Sequence, residues 1–444
     1  MSIKPDSKSQ PISSGVSRRD FAKTTAAAVA ALSLPGWPAF AQSVAPLRIG
    51  VIGCGGRGTG AIGDALRASP EVEIVALADL FPERIAKCRA DIAKQATDQA
   101  SFAPLVSRFK VTDDMTFAGF DAYAKLLATD VDIVFITTPP AFRPIYVPAA
   151  IDAGKHVFME KPVAVDPVGV RAIIAASDRA AAKGLGVLTG TQRRHEGPYI
   201  ETIAKLRDGA IGEIMGGQIY WNQGGLWMHK RQPEWSDVEW QIRNWLYFTW
   251  LSGDHIVEQH MHNIDVANWV LGTHPIRASG VGGRQSRTDP AYGHIFDHFA
   301  VDFEYPNGAR IHSVCRQVDG ARNFVGERFA GTKGMSDPQR GVIRGENAWE
   351  RARPATRQPT AYVQEHIDFI ASIRAGKPLN EGRQVAESTL TAIMGREAVY
   401  TGQDVTWEEI SNAQLDLVPK TIAFGAMATP PVPVPGVTKL VRSV

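Results

Sequence analysis

Cysteine is scarce in this sequence, and so are excess charge and long apolar runs. Three cysteines (Cys54, Cys88 and Cys315) are too few and too scattered for a disulfide framework, so we expect buried free thiols. A net charge of +2 without any basic tract argues against a nucleic-acid partner. Beyond the N-terminus no apolar stretch could cross a bilayer, so we expect no membrane contact in the mature form. The 444 residues are enough for roughly two or three globular domains.

The N-terminus has the features of an export signal. Residues 17–23 read "SRRDFAK", an Ala-rich run "TTAAAVAALSL" follows, and "AFA" precedes Gln42. A charged region, a short apolar region and an A-x-A site in this order predict a twin-arginine signal peptide at residues 1–41, cleaved after Ala41. We therefore expect a periplasmic protein. Because this route carries folded proteins, any cofactor of the protein must bind before export.

A glycine-rich turn opens the mature chain. The apolar run "LRIGVIGCG" is followed by the helical pattern "GGRGTGAIGDALRA", so a G-x-G-x-x-G motif lies where a strand meets a helix. Such a turn lets a pyrophosphate approach the backbone and the positive end of the helix dipole. The cofactor-binding residues predicted from this turn are Gly53, Gly55, Gly56, Arg57 and Gly58.

A second strand, "EIVALAD", ends at Asp79. An acid about twenty residues after the glycine turn is where a dinucleotide-binding fold holds the ribose hydroxyls. A carboxylate there would repel a 2′-phosphate, so the sequence favours NAD over NADP. The strands "VDIVFITTPP" and "KHVFMEKP" continue the alternation with helices, which predicts a Rossmann domain with a doubly wound parallel sheet at residues 42–193.

Several motifs together resemble the Gfo/Idh/MocA oxidoreductase family, glucose-fructose oxidoreductase among them. They are "TPP" with "AAIDAGKHVFMEKP", "GTQRR", "DGAIGEI", "FAGTKG" and "FIASIRAGKPLNEGRQVAESTLTAI", and they extend from about Leu47 to Trp407. The resemblance implies a C-terminal α/β domain with an open, mainly antiparallel sheet, predicted at residues 194–410 before a proline-rich tail at 411–444. Its strands are visible in "GEIMGGQIYWN" and in a hairpin turning at Asn307-Gly308. It also implies a homo-oligomer formed through this sheet.

The resemblance also implies site residues. Lys161 of the Glu160-Lys161-Pro162 motif would lie beside the nicotinamide and the hydroxyl being oxidised, and Glu258, His262 and Asp265 match the family's acid-histidine-acid pattern. Glu258 departs from the family's usual aspartate, His260 from a glycine and Arg143 from a histidine. The remaining expected residues are Thr138, Pro139, Glu160 and Gln192 for the cofactor, and Arg194, His260 and Trp227 for the substrate.

The stretch "GDHIVEQHMHNIDVANW" predicts one helix with a polar stripe. His255, Glu258, His262 and Asp265 are spaced by three, four and three residues, so they would share one face. A histidine titrating near neutral pH could take the hydroxyl proton, and a lysine could stabilise the alkoxide. A hydrogen-bonded cavity histidine and a metal ligand are the alternatives. We expect no metal, because His260 and His262 are two residues apart rather than the four of a helical zinc pair.

Six of the ten tryptophans lie between Trp221 and Trp250. This insert could wall the active site and bind the C–H faces of a sugar, or its rings could pack an interface or a small core of their own. The function we expect is a periplasmic NAD-dependent oxidoreductase acting on a sugar or sugar derivative, with a tightly bound nucleotide. The alternatives are a glycosidase that uses transient oxidation by NAD, and a non-enzymatic ligand sensor.

Overall fold

Two sheets organise residues 45–441, which are the residues that the computed structural model describes. The predicted signal peptide, residues 1–41, lies outside these described residues. The helices of the described part are α1 Gly56–Ala68, α2 Pro82–Asp98, α3 Ala122–Leu127, α4 Arg143–Asp152, α5 Pro167–Ala182, α6 Gly197–Arg207, α7 Asp237–Arg243, α8 Thr249–Ser252, α9 His255–Glu258, α10 Met261–Leu271, α11 Ala361–Arg374, α12 Gly382–Thr401 and α13 Trp407–Asn412. Within residues 45–441 no helix has both the length and the apolar character needed to cross a membrane.

The first sheet is parallel throughout. Its strands are β1 Leu47–Ile52, β2 Val72–Asp79, β3 Thr116–Ala118, β4 Ile133–Ile136, β5 His156–Met159 and β6 Val187–Thr189. Their order is β3-β2-β1-β4-β5-β6. Strand β4, "IVFI", is buried at every residue because helices cover both faces of the sheet. The predicted doubly wound sheet is therefore confirmed, and its order reverses between β1 and β4, where such sheets bind ligands.

The second sheet is open and mixed. Its strands are β7 Ile214–Gln223, β8 Arg277–Gly283, β9 His298–Glu304, β10 Arg310–Gln317, β11 Phe324–Gly331, β12 Gly334–Asp337, β13 Val342–Gly345, β14 Trp349–Glu350 and β15 Val405–Thr406, in the order β14-β13-β12-β11-β7-β10-β9-β8-β15. Strands β7 and β10 pair in parallel, and the other neighbours are antiparallel. The implied mainly antiparallel sheet is confirmed. The β9–β10 hairpin turns at Asn307-Gly308, where Gly308 has a φ of +83°.

Two late helices connect the sheets. Phe369 and Ile370 of α11 belong to the apolar core around β1 and β2, although α11 lies within the predicted C-terminal domain. Helix α12 is buried along most of its length. The domain boundaries at residues 193 and 410 stay a prediction. The three cysteines are buried free thiols, as predicted.

The C-terminal tail contains no helix or strand between the end of α13 at Asn412 and residue 441. It lies on the protein's own surface rather than projecting away from it. The Leu417 amide donates to Asp166 Oδ2 at 2.8 Å, and the Met427 amide donates to Asp237 Oδ2 at 2.9 Å. Part of the tail therefore covers α7, which belongs to the tryptophan-rich insert.

Candidate active site

A cleft opens at the carboxyl ends of β1 and β4, and the glycine turn forms its floor. Gly53 has a φ of +101°, and a Cβ on it would lie 2.8 Å from the Thr138 backbone nitrogen. A Cβ on Gly58 would lie only 1.9 Å from the Gly53 oxygen, so helix and turn are in direct contact. A Cβ on Gly56 would meet nothing within 4 Å, so open space lies at the N-terminus of α1. This geometry fits a dinucleotide pyrophosphate.

Asp79 lines the same cleft at the end of β2. Its Oδ2 accepts the Cys54 amide at 2.7 Å and its Oδ1 accepts the Phe81 amide at 2.9 Å. Burial raises the pKa of this carboxyl, and the two amide hydrogen bonds act in the opposite direction. The fixed carboxylate is suited to accept hydrogen bonds from a ribose. Arg84, which the sequence reasoning did not select, lines the cleft as well.

The tryptophan-rich insert closes one side of this cleft. Ile242 and Trp245 are part of its lining. The neighbouring Arg243 lies 3.7 Å above the Phe81 ring, and its Nη1 pairs with Glu83 at 2.7 Å. The tryptophan-rich insert, which follows the first sheet in the chain, is thereby attached to the end of β2 that carries Asp79.

The C-terminal tail adds a second cover. The Phe424 ring lies 6.0 Å from Phe81 and 4.9 Å from Phe120, and both of these partners line the cleft. Nothing in the local sequence around Phe424 predicts this contact, because its partners lie more than three hundred residues earlier.

A partly buried ion pair joins the glycine turn to the E-K-P motif. Glu160 Oε1 accepts from Arg57 Nε at 2.6 Å, and the Arg57 guanidinium lies 5.0 Å from the Tyr362 ring centroid. The Tyr362 hydroxyl accepts from Gln192 at 3.5 Å. Three predicted cofactor residues are thus brought together through Tyr362 of α11, which the sequence reasoning did not identify.

Lys161 and Glu258 form the central ion pair. Lys161 Nζ donates to Glu258 Oε1 at 3.0 Å and to the Glu258 backbone oxygen at 2.7 Å. The two side chains are only 12% and 9% exposed. Glu258 Oε2 is buried and has no hydrogen-bond partner among the described residues. Glu258 Oε2 can therefore accept a hydrogen bond from a hydroxyl group of a bound molecule.

The prediction of one continuous helix with a polar stripe is wrong. Helix α9 ends at Glu258 and α10 begins at Met261. The His260 amide reaches back to the His255 oxygen at 3.1 Å, which widens the turn, and His260 Nε2 lies 2.7 Å from Ser313 Oγ on β10. His260 is therefore held against β10, and the four residues of the predicted stripe belong to two helices rather than one.

His262 lies against an aromatic ring. Its imidazole is stacked on Trp221 of β7, with ring centroids 5.6 Å apart. Burial lowers the pKa of His262 well below its ordinary value, and the charges of Lys161 and Arg193 lower it further. The expected titration near neutral pH is therefore corrected, and the imidazole is neutral throughout that range.

Asp265 and Arg194 bind each other. Arg194 donates from Nε at 2.9 Å and from Nη2 at 2.8 Å, and Ser388 also donates to this carboxylate at 2.7 Å. Among the described residues no hydrogen bond or ion pair joins either one to Lys161. Asp265 thus orients Arg194.

Among the described residues no hydrogen bond or ion pair joins the other two predicted substrate residues, His260 and Trp227, to the central pair. His260 is fully buried, and burial lowers its pKa to about 3. Trp227 is 44% exposed, and its ring lies 6.1 Å from Trp245. The insert packs a small core of its own and also lines the cleft, whereas its contact with a sugar stays a prediction. Trp240 and Trp250 enter a small apolar core, whereas Trp245 lines the cleft and Trp221 contacts His262.

Arg143 is a buried cation that the sequence reasoning noted only as a departure from the family. It begins α4, and its two Nη groups donate to the backbone oxygens of Thr138 and Pro162.

Among residues 45–441 no cluster of three or more His, Cys, Asp or Glu side chains is arranged to hold a metal ion.

Two family models match the chain. One, described as an oxidoreductase family with an NAD-binding Rossmann fold, covers residues 47–188. The other, the GFO/IDH/MocA C-terminal domain, covers residues 200–337. The open glycine turn and Asp79 provide the room and the ribose acceptor that NAD requires, and a bound NAD supplies a hydride acceptor.

Curated relatives include dehydrogenases of cyclic polyols. Inositol 2-dehydrogenase 3 of Saccharopolyspora erythraea is 28% identical over 373 residues, which are 81% of this chain and 95% of that protein. An inositol 2-dehydrogenase of Serratia proteamaculans is 30% identical over 272 residues, which are 60% of this chain and 66% of that protein.

Solved structures share the fold. The aldose-aldose oxidoreductase of Caulobacter crescentus, complexed with glycerol, aligns with a TM-score of 0.61 at 21% identity, covering 81% of this chain and 99% of that one. The scyllo-inositol dehydrogenase of Lactobacillus casei, with NAD(H) and scyllo-inositol, aligns with a TM-score of 0.60 at 19% identity, covering 81% and 99%. With both family models matched in chain order, this chain belongs to the Gfo/Idh/MocA family of NAD-dependent oxidoreductases.

Proposed function

We propose that the protein oxidises a secondary hydroxyl group of a cyclic polyol, either an inositol or a sugar, with NAD as the hydride acceptor. The observation that carries this proposal is the Lys161–Glu258 ion pair at the carboxyl end of β5, next to Glu160 of the cofactor site. The names of the curated inositol dehydrogenases support the substrate class.

Three side chains, those of Lys161, His262 and Glu258, take part in removing the proton from the substrate hydroxyl. Lys161 places a positive charge where the substrate oxygen becomes an alkoxide, and this charge lowers the proton affinity of the hydroxyl. His262 accepts the proton: burial keeps its imidazole uncharged and so able to accept, and because the same burial makes it a weak base, the transfer depends on Lys161 lowering the proton affinity of the hydroxyl. Glu258 holds the ammonium in place, and its free Oε2 binds a neighbouring hydroxyl.

Trp221 gives the substrate an apolar surface. Its ring stacks on His262, and its Nε1 donates to Gln223 at 2.6 Å, which fixes its plane. A cyclic polyol presents C–H groups on its ring faces and hydroxyls at its edge. Trp221 would contact the C–H groups while Lys161 and Glu258 bind the hydroxyls.

We further propose that the protein acts in the periplasm and keeps its nucleotide through turnover. The twin-arginine motif at residues 17–23 supports the location. Trp245 in the cleft lining and Phe424 against Phe81 and Phe120 support retention, because they enclose the cleft from two further segments of the chain. A second carbonyl substrate would then reoxidise the bound NADH.

The open face of the second sheet supports a homo-oligomer. Val281, Phe324 and Met335 lie on that face, and they are 72%, 40% and 56% exposed. An apolar surface of this kind is typical of a subunit contact. Light scattering of the mature protein tests this proposal, and a monomer that persists at high concentration would contradict it.

The glycosidase and the ligand sensor have less support. Elimination of a glycoside needs a second base, for which Glu258, His255 and His260 are the candidates. Glu258 is paired with Lys161, and the two histidines are buried and engaged, His255 with Asp254 and His260 with Ser313. A sensor would not need the Lys161–Glu258 pair. The deciding experiment incubates mature protein with cyclitols, aldoses and nitrophenyl glycosides. We expect bound NAD to be reduced by a polyol without release of nitrophenol, and nitrophenol release without net NADH would favour the glycosidase.

A further inference from the structure

Arg143 connects two turns that carry residues predicted for the cofactor site. The Thr138-Pro139 turn follows β4, and the Lys161-Pro162 turn follows β5, its parallel neighbour. Arg143 Nη2 donates to the Thr138 oxygen at 2.8 Å, and its Nη1 donates to the Pro162 oxygen. One planar guanidinium thus joins the two backbone segments at a fixed separation.

The charge of Arg143 also belongs to the site. The side chain is 3% exposed, and its nearest acids are Glu160 and Glu258, which pair with Arg57 and Lys161. Burial lowers the pKa of Arg143 to about 10, and both acids counteract that effect. The guanidinium is therefore still charged at neutral pH.

We propose that Arg143 is a positioning residue for hydride transfer. By holding the Thr138 and Pro162 carbonyl groups together, it fixes the position of Lys161 relative to the Thr138-Pro139 turn. This inference rests on the proposed function. Lysine cannot replace arginine in this role, because an ammonium is a point donor whereas the guanidinium has two parallel donors in a rigid fork.

The chain offers a matched control for the test. Arg108 also bridges backbone oxygens, those of Leu66, Ser69 and Val72, but these lie at the amino end of β2, whereas the cofactor cleft is at the carboxyl ends of the strands. Arg108→Lys therefore removes the same kind of bridge at a distance from the cofactor site. A loss of stability or activity that follows from removing any such bridge should therefore appear in both Arg143→Lys and Arg108→Lys.

The experiment compares Arg143→Lys, Arg143→Ala and Arg108→Lys in the full mature protein. We measure NADH affinity, the fluorescence of bound NADH, and kcat and KM for myo-inositol with and without deuterium on the ring carbons. For Arg143→Lys we expect kcat to fall roughly 10²-fold, the scale of a displacement of about 1 Å. The KM and the NADH affinity should change little, the isotope effect on kcat should rise, and bound NADH should emit differently. Guanidinium ion should restore part of kcat in Arg143→Ala only.

Two results would overturn the proposal. The first is a folded Arg143→Lys protein with wild-type kcat, isotope effect and NADH emission. The second is a loss that simply follows the folded fraction, including a failure of both Arg143 variants to fold, since Arg143 would then serve stability alone. If wild-type protein did not oxidise myo-inositol, the proposed function would fail for that substrate, while the NADH emission would still report on Arg143.

Discussion

Replacing Lys161 by methionine separates the catalytic role of the Lys161–Glu258 pair from its contribution to stability. The substitution keeps the volume but leaves the Glu258 carboxylate, 9% exposed, without its paired cation. Removing one partner of a buried ion pair costs about 3–5 kcal/mol of unfolding free energy, and we expect about 3 because some exposure remains. Turnover should fall roughly 10²–10³-fold, because the alkoxide develops without a positive charge beside it.

A second substitution makes the test specific. In Lys161→Met/Glu258→Gln the buried charge is gone, so stability should return to within about 1 kcal/mol of wild type while turnover stays low. Urea unfolding gives the stability, and reduction of bound NAD by myo-inositol gives the turnover. If Lys161→Met were as stable as wild type, the pair would not be buried as described. An active double variant would refute the assignment of the alkoxide charge to Lys161.

Three further predictions concern neighbouring groups. His262→Ala should lower kcat roughly 10²–10⁴-fold while NAD stays bound, and steady-state kinetics with an assay of nucleotide content checks this; a largely active variant would remove His262 from proton transfer. Asp79→Ala should weaken NAD binding and improve NADP binding, because Arg84 lines the same cleft, and titration with both nucleotides would show whether the preference is unchanged. Burial lowers the pKa of His366 to about 3, so below about pH 6.5 the unfolded chain binds one more proton than the folded chain. The contribution of neutral His366 to the unfolding free energy is therefore present in full above that pH and is lost as the pH falls. His366→Phe should therefore reduce the pH dependence of the unfolding free energy between about pH 6.5 and 4 by about 1.4 kcal/mol per pH unit, and an unchanged slope in urea unfolding would contradict it.

The sequence predicts the nucleotide half of the site well, because its signals are local. The glycine turn at Gly53–Gly58 and the acid at Asp79 depend on backbone geometry and spacing within one β-α-β unit. Lys161 follows a buried strand whose apolar run is visible in the sequence. These features need no knowledge of distant parts of the chain.

The substrate half depends on contacts between distant segments. The break between α9 and α10 is linked to the contact of His260 with Ser313, fifty-three residues later. Asp265 binds Arg194 across seventy-one residues, a contact that helical spacing does not indicate. The cover from Phe424 and the bridge by Arg143 to Pro162 are tertiary contacts of the same kind.

Reduction of the protein's own nucleotide by a cyclic polyol tests the central claim most directly. Mature protein, purified without added cofactor, is mixed with myo-inositol, and the absorbance of reduced nicotinamide is followed through one turnover beside the Lys161→Met variant. We predict that wild-type protein forms about one NADH per bound NAD and that the variant forms it at least about 10²-fold more slowly. Wild-type protein that holds NAD yet forms no NADH with any inositol or aldose would contradict the account.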